Sequence, residues 1–323
     1  RVIMLDVSNL NVTTSVLILI LSLILLAYSS DLFTDGSVMV AKKTGISNFV
    51  IGVIIIGFGT SIPELSTSLY ASLIGSSGIS LGNVVGSNIA NLALVLGAIC
   101  IIRPILIKDE RELKKSLLSL IFVFVALFFI FHNLVVDRLD GIILLSLFIF
   151  YIWYILKDSP NNSSDSYRGR TGKIVFNVFG GLVGVLLGST FLVKSAINLA
   201  YFFGVSESII GLTLVAGGTS LPELAVGLAA IRKGQSTLVL GNIMGSNIMN
   251  ILLVLGLASV VMPLAVDVDI FISAGFLLFL SLVLVIFIKI KKELGRGAGF
   301  FLLSLYVLFL LIFTITSKLN IFV

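Results

Sequence analysis

Two acidic side chains stand where apolar helices would be expected to exclude them. Glu64 lies in "GFGTSIPELSTS" (57–68) and Glu223 in "AGGTSLPELAVG" (216–227), each directly after a proline and each near the middle of an apolar run. An ionised side chain in hydrocarbon is costly enough that such residues mostly mark ion or substrate pathways. Pro63 has no N–H, and its ring clashes with the carbonyl of Gly59, four residues back. The helix is therefore expected to open over 57–60, freeing carbonyls at Gly57, Phe58, Gly59 or Thr60, and residues 216–219 ahead of Pro222 repeat the arrangement. Unwound backbone at membrane depth is tolerated only where it lines a cavity or is buried in protein. Carbonyl oxygens beside a carboxylate are the ligands a hard cation takes. Each feature also has a plainer reading: a protonated glutamate that bonds helices together, or a proline kink filled by Ser and Thr side chains. Duplication of the whole motif at matching depth favours the ion pathway.

Further oxygens come from two other runs. Asn83, Ser87 and Asn91 are spaced i, i+4, i+8 and share one helix face, as do Asn242, Ser246 and Asn250. Gly82, Gly86 and Gly97, with Gly241, Gly245 and Gly256, permit close helix approach. A packing seam of small and polar residues accounts for part of this pattern, including Asn88 and Asn247. Asn91, Ser87 and their counterparts, at the depth of the glutamates, are assigned to the ions. The sum is two carboxylates, amide and hydroxyl oxygens and freed carbonyls, with no His or Cys. That set suits Ca²⁺, Mg²⁺ or Na⁺ rather than a transition metal. Two negative charges balance one Ca²⁺, two protons, or about two or three Na⁺ with the excess spread over neutral dipoles. A site that each of these satisfies in turn is the logic of an antiporter. Nucleophilic catalysis is disfavoured, because no His or Lys stands near the "GTS" hydroxyls as a base.

The elements that position these residues are membrane spans. Of 323 residues, 58% are hydrophobic and 11% charged, with a mean hydropathy of +1.19; a soluble domain carries about 25% charged residues. Runs of about 20 apolar residues place ten spans at 12–33, 48–75, 80–102, 116–133, 140–156, 174–203, 207–231, 237–262, 268–290 and 298–316. Of 21 Lys and Arg, 17 fall in the connections after odd-numbered spans and only Arg1, Arg138, Lys194 and Lys318 on the other side. The positive-inside rule then puts both termini outside. The same loops account for the net charge of +5 without a nucleic-acid partner. The lone Cys100 forms no intrachain disulfide, and His132 reads as interfacial. The chain begins at Arg1, so a short leading piece is expected to be missing, and no cleavable signal is recognised. Asp31 and Asp35 read as the end of span one, Glu207 and Lys194 as flanks of the second half, and Asp267 and Asp269 as loop charges.

"LGNVVGSNIANLALVLG" (81–97) recurs as "LGNIMGSNIMNILLVLG" (240–256), and "GTSIPEL" (59–65) as "GTSLPEL" (218–224), both at an offset of 159 residues. The chain is therefore read as an all-α polytopic membrane protein built from two five-span repeats, 1–156 and 174–323. They are joined by a cytoplasmic linker, 157–173, too short for a regulatory domain. An odd span number inverts the second repeat, and the site belongs near the midplane where the copies meet.

These doubled motifs, "GTSIPE" with "GNVVGSNIAN" and "GTSLPE" with "GNIMGSNIMN", resemble the two alpha-repeats of the Na⁺/Ca²⁺ exchanger family, within the cation/Ca²⁺ exchanger superfamily, in its compact prokaryotic form. The resemblance covers essentially the whole chain. It implies alternating access, with spans one and six sliding across the rest, spans two and seven broken near the midplane, and a diamond of four cation sites. It implies Ca²⁺ at the Glu64 and Glu223 carboxylates and the Thr60 and Thr219 carbonyls. It implies Na⁺ at the Gly57 and Ala216 carbonyls and the Ser61, Ser87, Ser220 and Ser246 side chains, with the two glutamates shared and Asn91 and Asn250 flanking the centre. It further implies about three Na⁺ per Ca²⁺, no cofactor beyond the transported ions, residence in the cell membrane, and a chain able to work as a monomer. Many members carry Asp where this chain has Asn250, which leaves H⁺/Ca²⁺ exchange at the same glutamates as the alternative.

Overall fold

The computed structural model describes residues 11–107, 109–157, 171–203 and 218–319, with side chains through Phe313. The helices are α1 (Val12–Thr44), α2 (Asn48–Thr60), α3 (Ile62–Leu73), α4 (Ser77–Ile102), α5 (Glu110–Asn133), α6 (Arg138–Lys157), α7 (Thr171–Phe202), α8 (Leu221–Arg232), α9 (Ser236–Val261), α10 (Val268–Lys291) and α11 (Arg296–Leu319). Among the described residues eight are long and apolar enough to cross a membrane, and α2 with α3, bent by 49°, makes a ninth. The expected span at 207–231 is described only in its second half, α8; Ala216, Glu207 and the linker residues 158–170 lie outside the described residues.

Several boundaries move. Span one was expected to end near 33 but runs to Thr44, because the Asn11 side chain caps its start and Gly45, at φ 73°, ends it. Asp31 and Asp35 are thus inside α1 and not at its end. Thr171–Lys173, counted with the linker, already belong to α7. Asp267 is no free loop charge, since its carboxylate accepts from Ile270 N–H at 2.8 Å and starts α10.

The interior is built from α4 and α9, the most enclosed spans. Both contain a π-helical turn, Ala90–Val95 in α4 and Met249–Val254 in α9, at the repeat offset. Such turns add one residue to the helix and often sit at functional sites. Helix α2 crosses α9 backbone to backbone: a Cβ on Gly57 would stand 2.9 Å from the Ser246 nitrogen, and one on Gly245 2.6 Å from Val53 Cα. Only glycine permits that crossing.

Two short antiparallel ribbons tie the halves together. β1 (Ile105–Leu106) pairs with β4 (Glu293–Leu294), and β2 (Val135–Val136) with β3 (Leu264–Ala265). β1 and β2 flank opposite ends of α5, so one ribbon closes each end of the molecule, and each joins a strand from one sequence half to a strand from the other.

Candidate cation site

Glu64 and Glu223 are the third residues of α3 and α8, which start at Ser61 and Ser220 with a proline in the first turn of each. A helix N-terminus presents free N–H groups and a positive dipole end, which favours a carboxylate there. Both glutamates are fully buried, at 0% exposure.

The expected opening over 57–60 is narrower than the sequence indicated. The chain stays helical through Thr60 and departs only at Ser61 (φ −84°, ψ 7°). The Gly57 carbonyl still accepts Ser61 N–H at 3.1 Å. A π-helical turn over Gly52–Gly57 lies just upstream, and the 49° bend falls at Ser61, between α2 and α3. Pro63 withholds the N–H that Gly59 would otherwise receive. In the second copy Leu224 N–H reaches Ser220 at 3.1 Å, matching Leu65 N–H to Ser61 at 3.0 Å.

Side chains of the two repeats meet across the centre in a reciprocal pattern. The Thr60 and Ser246 hydroxyls are 3.3 Å apart, and Ser87 and Thr219, their counterparts, 3.4 Å. Ser246 Oγ lies 3.2 Å from Glu223 Oε1 and 3.5 Å from the Gly57 carbonyl, and its single proton serves one of the two at a time, the carboxylate being the nearer acceptor. Gly57, Thr60 and Glu223 thereby surround one hydroxyl. Asn83 was expected only as a member of the polar face; its amide donates to the Glu64 carbonyl at 3.0 Å and to Ser68 Oγ at 2.8 Å. Asn242 reaches the Glu223 carbonyl at 3.5 Å in the same way. These two amides position the glutamate-bearing turns, a role signalled in the sequence only by their place one turn before Ser87 and Ser246. Asn88 bonds back to Val84 within its own helix at 2.7 Å.

Several of the expected ligands remain unpaired, as do Asn247, one oxygen each of Asn88 and Asn242, and Ser281. Both carboxylate oxygens of Glu64, Oε2 of Glu223, the hydroxyls of Ser61 and Ser220, and the amides of Asn91 and Asn250 are buried without a hydrogen-bond partner. Asn91 and Asn250 lie in the two π-helical turns. Buried polar atoms are normally bonded, and a buried charge with no partner is strongly destabilising. Two buried carboxylates whose free oxygens have no hydrogen-bond partner fit a cation held by oxygen ligands. Among the described residues no group of three or more His, Cys, Asp or Glu gathers elsewhere. Of the expected ligands the structure groups Gly57, Thr60 and Glu223 around Ser246, and separately sets Ser87 against Thr219, the threonines meeting their partners through their hydroxyls rather than the expected carbonyls. It leaves Ser61, Glu64, Asn91, Ser220 and Asn250 buried with open valences.

The sodium/calcium exchanger protein family model matches residues 14–157 and 173–315. The sodium/calcium exchanger MaX1 of Methanosarcina acetivorans is 34% identical over 347 aligned positions, covering 93% of this chain and 99% of that one. A membrane protein of Methanocaldococcus jannaschii is 40% identical over 296 positions, covering 90% and 94%. The solved structure of the sodium-calcium exchanger NCX_Mj soaked without Na⁺ or Ca²⁺ superposes with a TM-score of 0.82 at 39% identity, over 91% of this chain and 97% of that one. With both motifs, the helical architecture and the whole-length matches in agreement, the chain belongs to the sodium/calcium exchanger family, a family of membrane transporters and not of enzymes.

Proposed function

We propose that this protein is a secondary active antiporter that exchanges Na⁺ for Ca²⁺ across the cell membrane by alternating access. The observation that carries the reading is the pair of fully buried carboxylates, one from each repeat, whose free oxygens lack any donor and lie among hydroxyl and amide oxygens. Ca²⁺ bridges Glu64 and Glu223, with the carbonyls of Thr60 and Thr219 completing its shell. Na⁺ ions use the carbonyls of Gly57 and Ala216 and the hydroxyls of Ser61, Ser87, Ser220 and Ser246, sharing the same two carboxylates. Asn91 and Asn250 supply neutral oxygens at the centre. Ca²⁺ and Na⁺ compete because each neutralises the same two charges, and the empty site carries an uncompensated pair that disfavours crossing without cargo. One chain holds both halves of the site, so a monomer suffices. The Lys and Arg distribution supports both termini outside.

The buried pair would equally accept two protons, which makes H⁺/Ca²⁺ exchange the second reading. Purified protein in lipid vesicles separates them. Ca²⁺ uptake should appear with Na⁺ inside and vanish in Na⁺-free vesicles at equal pH. Uptake driven by a pH gradient alone would establish the proton reading instead.

A further inference from the structure

The two ends of the molecule differ in one respect that the repeats do not explain. Lys233, the residue that ends α8, extends its ammonium to α1, where it lies 2.7 Å from Asp35 Oδ1, 3.4 Å from Asp31 Oδ1 and 2.9 Å from the Asp31 carbonyl. Asp31 and Asp35 are four residues apart and so share a face of α1. One ammonium has three donors, and all three acceptors lie on that one helix.

Helix α8 carries Glu223 at its other end. Helix α1 is locked to α7: Cβ atoms built at Gly36 and Gly181 would lie 2.8 Å from Val178 N and 2.6 Å from Phe33 N. Backbones this close move together. The Lys233 clamp therefore fastens the α1–α7 pair to the half-helix that holds one carboxylate of the site. Nearby, a Cβ on Gly234 would meet Arg103 at 3.5 Å, Gln235 accepts from the Asn48 amide at 3.0 Å, and Thr237 donates to Glu112 at 3.3 Å. This is the β1–β4 end.

At the repeat offset, the places of Asp31, Asp35 and Lys233 are taken by Thr190, Lys194 and Ile74. Ile74 ends α3 as Lys233 ends α8. A threonine, a lysine and an isoleucine make no such clamp, so among the described residues these places at the opposite end hold no counterpart. Inverted repeats give alternating access by exchanging conformations between halves, each bundle rocking about a fixed site. A contact present at one end only makes the two access states unequal in energy.

We infer that Asp31, Asp35 and Lys233 form an electrostatic latch that holds the β1–β4 end shut and biases the cycle toward access from the opposite end. The inference rests on the antiport reading for its consequence in transport, but the latch itself is a property of the fold. Its members are exposed enough to exchange with water, so the bias is modest and sensitive to salt.

A thiol on the clamp's own face of α1 tests it without transport. Val38, half-buried one turn beyond Asp35 on the same face, becomes the probe as Val38→Cys in a Cys100→Ser background. A bulky water-soluble maleimide reports its exposure in detergent. Lys233→Met and, separately, Asp35→Asn should each raise the labelling rate about five-fold, and high salt should raise that of the Val38→Cys, Cys100→Ser parent. The charge-swapped pair Asp35→Lys with Lys233→Asp should return it toward the parent rate. Equal labelling in parent, Lys233→Met and Asp35→Asn overturns the latch, and Asp35→Asn decides if Lys233→Met fails to fold. Na⁺-driven Ca²⁺ uptake by the parent, run alongside, decides the antiport reading separately.

Discussion

Glu64 and Glu223 occupy equivalent places, yet the structure satisfies them unequally. Ser246 donates to one oxygen of Glu223, while both oxygens of Glu64 are without a donor. Removing the charge while keeping the shape isolates what it does. Glu64→Gln and Glu223→Gln should each reduce Ca²⁺ uptake to background while the protein remains folded. In ion-free buffer each variant should melt no lower than the parent, since an uncompensated buried charge has been removed. Vesicle uptake and a thermal melt in detergent check both halves of that expectation; retained transport in either variant would refute a shared site. Asn250 bears on selectivity. Its amide is buried and unpaired in the π-helical turn of α9, and Asn250→Asp would introduce a third titratable carboxylate beside the other two. That variant should show a changed preference between Na⁺ and Ca²⁺ and a steeper pH dependence of uptake, losing activity as the added group protonates on acidification. Superimposable Na⁺ and pH titrations would place the residue away from the ions.

The distances between these side chains depend on how closely α2 crosses α9. Gly245→Ala would put a methyl 2.6 Å from Val53 Cα, where backbone faces backbone and no side chain can swing aside. The helices must separate, which should cost about 1–3 kcal/mol of stability. It should also raise the KM for Ca²⁺, because Ser246 is the next residue and holds Gly57, Thr60 and Glu223 together. A thermal melt combined with uptake kinetics measures both. The same elements show what was legible in the sequence. Glu64, Asn91 and their mates stood out as candidates because a carboxylate or amide in an apolar run is conspicuous, and Thr60 and Ser87 followed because the repeat doubled the motifs that hold them. The π-helical turns were not, since "ANLALV" and "MNILLV" have the composition of any apolar helix and the extra residue per turn leaves no periodic trace over so short a stretch. The extent of the break was misjudged because Pro63 fixes where a bond is missing but not how many residues leave the helix, and here only Ser61 does. Span one was cut short because a carboxylate was taken as the end of the apolar run. Asp31 and Asp35 sit inside α1 with more than half of each side chain exposed and paired with Lys233, about two hundred residues away in sequence. Strands of two residues are too short to show any alternation at all.

At the scale of the whole molecule, two halves of similar sequence are interlocked at each end by a ribbon and joined at the centre by reciprocal hydroxyl contacts. The ionisable charge at that centre is limited to two carboxylates, because Asn91 and Asn250 are neutral. The same fixed charge crosses the conformational change with either cargo, so the difference between the cargoes appears as current. About three Na⁺ against one Ca²⁺ moves one net positive charge per turnover, whereas two Na⁺, or two protons, against one Ca²⁺ moves none. Vesicles loaded with Na⁺ and taking up Ca²⁺ would export that net charge and become negative inside. Uptake should therefore slow unless potassium and valinomycin dissipate the potential, and it should accelerate when the interior is clamped positive. One charge in a potential of 100 mV is worth about 2.3 kcal/mol, equivalent to roughly a fifty-fold change in the equilibrium accumulation of Ca²⁺. Accumulation that follows the clamped potential by that factor supports the three-for-one ratio. Accumulation that ignores it means that the two glutamates exchange their cargo without net charge, and the ion count at the site falls to two.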